Sequence, residues 1–354
     1  MQFISILVSA TLSAASMPMI IGFAESNKLY DGVGGRKIHS GNIPRLGGIG
    51  IFIAFFIACL AYPLVSEAGL GEGFLARYPL LIPVAIGAFI VHAIGLLDDF
   101  HGMRAIVKLA AQIAAAALVV ASGLRFQGLG FAPDLLAGPM RWASILITCF
   151  WIVGVTNAMN LIDGMDGLAG GISMIASLAY AAFYYLAGDA PSSFICLSLA
   201  GAIAGFLTVN FPAPRAKIFM GDSGSLFLGF MLSVMPFLGM TGGQTGRAVG
   251  VVPAALVLFI PIFDTLRAIW RRRRAGVSVA TPDRLHLHHL FFDAGYKPIA
   301  ILAIVYGVTL IQAATFLVSS RMPPAFGFFA ELIIFCCSGI MFRYASALSP
   351  KKLS

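Results

Sequence analysis

Charge is what this sequence has least of. Asp, Glu, Lys and Arg make up 11% of its 354 residues, while hydrophobic types make up 59%. Soluble domains carry about 25% charged residues, so a water-solvated globular fold is excluded. A mean hydropathy of +0.92 places most of the chain in a lipid bilayer. Cysteine is scarce as well. Cys59, Cys149, Cys196, Cys336 and Cys337 all lie in apolar runs, without the spacing of a zinc site or a disulfide framework. They read as small buried hydrophobes. A positively charged leader is missing, since the first basic residue is Lys28. Residues 4–22 therefore read as a retained first span rather than a cleaved signal. Internal repeats and low-complexity tracts are also lacking, so one integral-membrane domain over residues 1–354 is expected.

Long apolar runs are what the chain has in abundance. A membrane helix needs about 20 mostly apolar residues. Runs near 4–22, 47–66, 80–97, 105–122, 141–160, 167–187, 193–210, 223–240, 249–266, 299–319 and 326–345 qualify. The expected fold is an all-α polytopic bundle of about 11 spans. The runs 167–187 and 223–240 are the weakest, being rich in Gly and Ser. Such residues are tolerated where helices pack closely.

The 23 lysines and arginines set the orientation. With the N-terminus outside, Arg77, Arg125, Arg141, Arg247 and Arg321 are external, and all the others fall on the cytoplasmic side. That bias accounts for the net charge of +8 without nucleic acid as a partner. The cytoplasmic loops are then 23–46, 98–104, 161–166, 211–222 and 267–298, and the unusual polar residues cluster in them.

Five segments carry chemistry. Asp98-Asp99 closes the third span. Paired carboxylates at a membrane boundary are costly. They read either as a solvated loop with Arg104 as counter-ion or as a seat for a divalent cation. Mg²⁺ is usually held by one or two carboxylates plus substrate phosphates. In the second segment, Asn157, Asn160, Asp163 and Asp166 recur every three residues, which would align them on one helix face. Amides and carboxylates in a row suit ribose, base and sugar hydroxyls. Gly164 and Gly167 loosen the backbone there.

The third segment runs from Phe211 to Ser225. It places Asp222 at the start of a span, where backbone N–H groups attract anions. Asp222 could hold metal while those N–H groups and Lys217 face phosphate; a plain helix cap would use the same oxygens. The fourth segment, Pro282 to His289, holds Arg284, His286, His288 and His289. No cysteine lies nearby to complete a zinc site, so contact with pyrophosphate or sugar fits better. The fifth, Arg36 to Gly48, offers Lys37 and Arg45 as phosphate contacts or as topogenic charges. Asp264, three residues before Arg267, reads as a helix-surface ion pair outside the core site.

Together these segments resemble the polyprenyl-phosphate N-acetylhexosamine-1-phosphate transferase family, from about residue 28 to residue 297. Ile43-Pro44-Arg45-Leu46-Gly47-Gly48 and His286-Leu287-His288-His289 look like its GlcNAc-1-phosphate branch, the WecA-like and TagO-like enzymes. Ile43, Arg45, Leu46 and Leu287 depart from the branch that transfers phospho-MurNAc-pentapeptide. A sister branch using UDP-FucNAc or UDP-QuiNAc is poorly separated by sequence.

The resemblance implies an inner-membrane transferase using Mg²⁺, with Mn²⁺ as a substitute. It would move GlcNAc-1-phosphate from UDP-GlcNAc to undecaprenyl phosphate, releasing UMP, at the start of a cell-surface polysaccharide. Asp222 and Asp98 are the expected metal ligands. Asp99 would deprotonate or orient the acceptor phosphate. Lys37, Arg45 and Lys108 would contact lipid or donor phosphates. Asn157, Asn160, Asp163, Asp166, Lys217, Arg284, His286, His288 and His289 would bind the nucleotide sugar. Besides its substrates the expected partners are membrane lipids and a second copy in a homodimer. The rival reading is a transporter, but transporters place charge near the bilayer midplane, and here the carboxylates sit at span ends.

Overall fold

The computed structural model of the protein describes residues 3–29, 43–62, 78–132, 134–136, 138–213, 215–245, 249–278 and 285–347. Each of the eleven apolar runs contains helix, because a bilayer leaves the backbone no partner but itself. In order these are α1 (Ile4–Ser26), α2 (Gly47–Leu60), α3 (Tyr78–His101), α4 (Ala105–Ala121), α5 (Arg141–Ile162), α6 (Leu168–Leu186), α7 (Ala190–Asn210) and α8 (Gly221–Val234). A 3₁₀ stretch, Met235–Thr245, extends α8. Then come α9 (Val251–Val257), α10 (Phe259–Arg274), the short α11 (Leu287–Asp293), α12 (Pro298–Ser319) and α13 (Pro324–Ala347).

Among the described residues, eight helices are long and apolar enough to cross a membrane. The run 249–266 is not one straight helix: α9 and α10 meet at 91°, and together they raise the number to nine. The remaining difference from eleven lies in α2 and α4, with 14 and 17 residues. At 1.5 Å per residue they reach about 21 and 26 Å, short of the roughly 30 Å hydrocarbon core.

The Gly- and Ser-rich runs turn out to be the bundle's centre. In the span containing α8, 94% of the apolar window is buried, against 22% for α1 and for α13. Small residues are required there. A Cβ on Gly229 would lie 2.7 Å from Thr156 Cα, and one on Gly171 would lie 2.1 Å from the Tyr306 ring. Low hydropathy in α6 and α8 therefore reflects helix–helix contact, which replaces lipid as the neighbour. α8 packs on α2, α3, α5 and α6, and this fixes where its first turn sits.

Candidate active site

The first turn of α8 carries Asp222, and α3 holds that turn in place. Asp99 accepts hydrogen bonds from the backbone N–H groups of Asp222 (2.8 Å) and Ser223 (3.0 Å). Two of the unpaired donors of a helix start are thereby satisfied by a carboxylate, and the helix dipole favours its charge. Gly221 adopts φ +75°, and a Cβ there would lie 2.2 Å from Arg45 O and 2.6 Å from Asp99 Oδ2. Gly95, four residues before Asp99, brings α3 close: its Cβ would stand 2.6 Å from Asp222 O. One turn earlier, the His92 Nδ1 lies 3.1 Å from Ser223 O. His92, Gly95 and Asp99 share one face of α3, and that face grips the helix bearing Asp222.

Asp98 points elsewhere. Its Oδ1 accepts from the Met103 N–H at 2.6 Å. Its Oδ2 lies 3.2 Å from Lys108 Nζ on α4, and the same ammonium donates to Asp222 Oδ2 at 2.8 Å. Two carboxylates from separate helices thus converge on one positive group. The Arg45 segment closes over this end. Phe219 N–H donates to Pro44 O, Gly47 N–H to Phe219 O and Gly48 N–H to Met220 O, at 2.8, 3.0 and 2.9 Å. A Cβ on Gly48 would fall 2.3 Å from Gly224 N, so only glycine lets α2 start there.

The row at three-residue spacing is split. Asn157 and Asn160 lie in α5, but the helix ends at Ile162, so the single helical face expected from the spacing stops there. Asn157 pairs with Gln112 of α4. Asn160 donates to Ser225 Oγ of α8 at 2.9 Å. Asp163 and Asp166 sit in the turn between α5 and α6. Gly167 has φ +78°, which ends the turn in a conformation glycine accepts without strain. Its N–H donates to Asn210 Oδ1 (2.9 Å) and its carbonyl accepts from Tyr306 (2.6 Å). Desolvation, and then the charges of Asp222, Asp166 and Asp99, push the Asp163 carboxyl up to about 8.

The histidines approach this turn from α11. Asp264, on α10, is buried. It accepts from the Leu287 N–H at 2.9 Å and lies 2.7 Å from His286 Nδ1. The expectation of a surface residue outside the core site is corrected: Asp264 is the anchor of the histidine segment. His288 then packs on the turn, its ring within 2.7 Å of where a Gly164 Cβ would be. It is 3% exposed, and neither ring nitrogen has a hydrogen-bond partner. Burial first, and then His289, lower its pKa to about 3, so the ring is neutral.

The structure thus brings Asp98, Asp99, Lys108, Asn157, Asn160, Asp163, Asp166, Asp222, His286 and His288 around the ends of α3, α5 and α8. His289 is half-buried and lies against His288, with ring centres 4.2 Å apart. Lys217 is exposed. The N–H groups expected to face phosphate beside Asp222 are occupied by Asp99. Lys37 and Arg284 lie outside the described residues. The sequence reading missed Gln112, Asn210 and His92, single polar residues inside apolar helices. Their signal was the cost of burying a polar group without a partner.

Among the described residues, no three His, Cys, Asp or Glu side chains form a ready metal cage. The donor set still suits a hard cation. Asp98 and Asp222 meet at a point of positive charge, and substrate phosphates supply the remaining oxygens in typical Mg²⁺ sites.

The sequence pattern of glycosyl transferase family 4 matches residues 81–240. The chain is 33% identical over 310 residues to the probable undecaprenyl-phosphate N-acetylglucosaminyl 1-phosphate transferase of Bacillus subtilis (strain 168), covering 87% of this chain and 82% of that relative. It is 36% identical over 305 residues to the decaprenyl-phosphate N-acetylglucosaminephosphotransferase of Mycobacterium tuberculosis (strain H37Rv), covering 79% and 74%. Against the undecaprenyl-phosphate alpha-N-acetylglucosaminyl 1-phosphate transferase of Yersinia pestis it is 30% identical over 267 residues, covering 74% and 68%. The chain belongs to glycosyl transferase family 4, in its WecA- and TagO-like branch of polyprenyl-phosphate GlcNAc-1-phosphate transferases.

Proposed function

We propose that this protein transfers GlcNAc-1-phosphate from UDP-GlcNAc to undecaprenyl phosphate at the cytoplasmic face of the inner membrane, with its N-terminus outside. The observation that carries this reading is the convergence of Asp98 and Asp222 on Lys108, beside the asparagine row and the histidine segment. An oxygen of the lipid phosphate attacks the sugar-bearing phosphorus of the donor. A P–O bond forms, the bond from that phosphorus to the bridging oxygen breaks, and UMP leaves with the bridging oxygen.

Asp98 and Asp222 would hold Mg²⁺, which when bound neutralises pyrophosphate charge. Lys108 and Arg45 attract the phosphates. Asn157 and Asn160 offer amides to the nucleoside, with Asp163 and Asp166 at the same turn. His288, neutral and unpartnered, can exchange a hydrogen bond with the donor, and His286 is held by Asp264 for the same purpose. Both Asp99 oxygens are engaged by α8, which supports a positioning role over that of a base. The acceptor scarcely needs a base: a phosphomonoester's second pKa is about 6, so most of it is a dianion at neutral pH. That supports direct attack.

The test is a transfer assay on the purified protein with undecaprenyl phosphate, Mg²⁺ and sugar-labelled UDP-GlcNAc. Label entering the lipid phase with UMP release, both lost on chelation, is expected. Transfer only from UDP-FucNAc or UDP-QuiNAc would move the chain to the sister branch. No transfer from any nucleotide sugar would overturn the proposal.

A further inference from the structure

The turn that bears Asp163 and Asp166 is gripped at two points from the chain beyond α10. His288 of α11 packs at Gly164, its ring 2.7 Å from where a Cβ would be. The second grip comes from α12. Tyr306 donates its hydroxyl to Gly167 O at 2.6 Å, across 139 positions. Its ring fills a groove in α6, where a Cβ on Gly171 would lie 2.1 Å from it. Leu302, one turn earlier on α12, stands 3.2 Å from where a Gly167 Cβ would be. One face of α12 therefore rests on the end of the turn. On the other side of the same peptide, Asn210 accepts from the Gly167 N–H and donates to Ile218 O, both at 2.9 Å. Ile218 stands four residues before Asp222.

The Tyr306 bond is not needed to hold α6 together. Gly167 O already accepts the first intrahelical bond, from the Gly171 N–H at 2.8 Å. A carbonyl oxygen has two lone pairs, and the phenol takes the second. Removing the hydroxyl therefore orphans nothing in α6. What the bond fixes is the placement of α12 on the turn. Because α11 leads into α12, it also fixes the histidines against the acids. We propose that Tyr306 is a positioning residue for the nucleotide-sugar donor, setting the turn of Asp163 and Asp166 against His288. The proposal rests on the donor assigned above. Tyr306 lies beyond residues 81–240, which the family pattern matches, so its role follows from the fold and not from a motif.

The test compares the full-length parent in detergent with Tyr306→Phe, which keeps the ring on Gly171 and removes only the hydroxyl. The KM for UDP-GlcNAc should rise about three- to tenfold, the worth of one hydrogen bond. The kcat, the KM for undecaprenyl phosphate and the unfolding midpoint should stay near those of the parent, the pattern of lost binding and not of lost chemistry. Without any substrate, backbone hydrogen exchange in residues 163–168 should quicken, because a local restraint is gone. In a His288→Gln background the same substitution should add little, since the two side chains share one turn. A fall in kcat together with both KM values changed and a lowered midpoint would make Tyr306 a structural residue only. Unchanged exchange, or a fully additive effect beside His288→Gln, would also overturn the proposal. No transfer by the parent from any nucleotide sugar would sink the donor assignment itself, and the exchange comparison, which uses no substrate, tells that result apart from failure of the Tyr306 grip.

Discussion

Around Lys108 the polar groups answer one another, whereas the His288 ring has no hydrogen-bond partner. Asp99 is bonded to two backbone amides, Asp98 to the Met103 amide and Lys108, Asp222 to Lys108, and Asn160 to Ser225. Beyond the end of α10, His286 is fixed by Asp264, yet the neighbouring His288 is buried with both ring nitrogens unpartnered. A buried unsatisfied polar group costs about 1–3 kcal/mol. The carboxylate end is thus preorganised by the fold alone, and on the proposed function the histidine end is the part a bound donor would complete. Preorganised charge is the usual source of large transition-state effects, so the two ends should respond differently to substitution.

The largest effect should come from Asp222→Ala, which removes the carboxylate shared with Lys108. Turnover should fall about 10²–10³-fold while the unfolding midpoint stays near that of the parent. A variant keeping more than about a tenth of the parent rate would take Asp222 out of the metal role. Next comes Asp99, where two substitutions separate positioning from proton transfer. Asp99→Ala strips the cap from α8, and hydrogen bonds to a charged group are worth about 1.5–3 kcal/mol, so kcat should drop about ten- to a hundredfold. Asp99→Asn keeps one acceptor oxygen and should recover most of that loss, with the pH profile unchanged. If Asn proves as damaging as Ala, Asp99 acts on a proton after all.

The third test leaves the chemistry alone and shifts the scaffold. Gly48→Ala forces a Cβ to within 2.3 Å of Gly224 N, at the root of α8. Overpacking of this kind costs about 1–3 kcal/mol. Thermal unfolding should show the loss, and Gly22→Ala, with nothing within 4 Å, should show none.

The smallest effect belongs to His288. Its folded pKa is about 3 against an ordinary value of 6.5. The unfolded chain therefore binds a proton that the folded chain refuses. Stability contributed by the neutral ring is complete above pH 6.5 and declines as pH falls toward 3. Between pH 6.5 and 5.5 the loss is about 1 kcal/mol, and His288→Gln should abolish it. An unfolding midpoint with the same acid dependence in parent and variant would show that His288 is not held neutral.

Much of this was legible in the chain. Apolar runs located helix in all eleven segments, since a bilayer allows no other backbone solution for an open chain. Asp98, Asp99, Asp222 and the asparagine row stood out because charge and amide are costly at a membrane boundary. The run 141–160 and the loop 161–166 ended this span within two residues of Ile162, whereas the three-residue spacing of Asn157 to Asp166 pointed to one continuous helical face, because Gly164 and Gly167 permit a turn without requiring one. Asp264 was misread for a related reason: three residues before an arginine, it fits a surface pair equally well by local spacing.

What the sequence determined by itself was the medium, the helical class and the cast of chemical groups, each of which follows from composition and local order, and the family through the resemblance of its five segments. Only the tertiary structure decided which groups meet. Asp99 faces α8's amides while its neighbour Asp98 faces Lys108 of α4, because successive residues on a helix point about 100° apart. His286 finds Asp264, 22 positions away, where the chain after α10 folds back to it. Contacts between residues remote in sequence depend on how helices pack, and packing is a property of all the surfaces together.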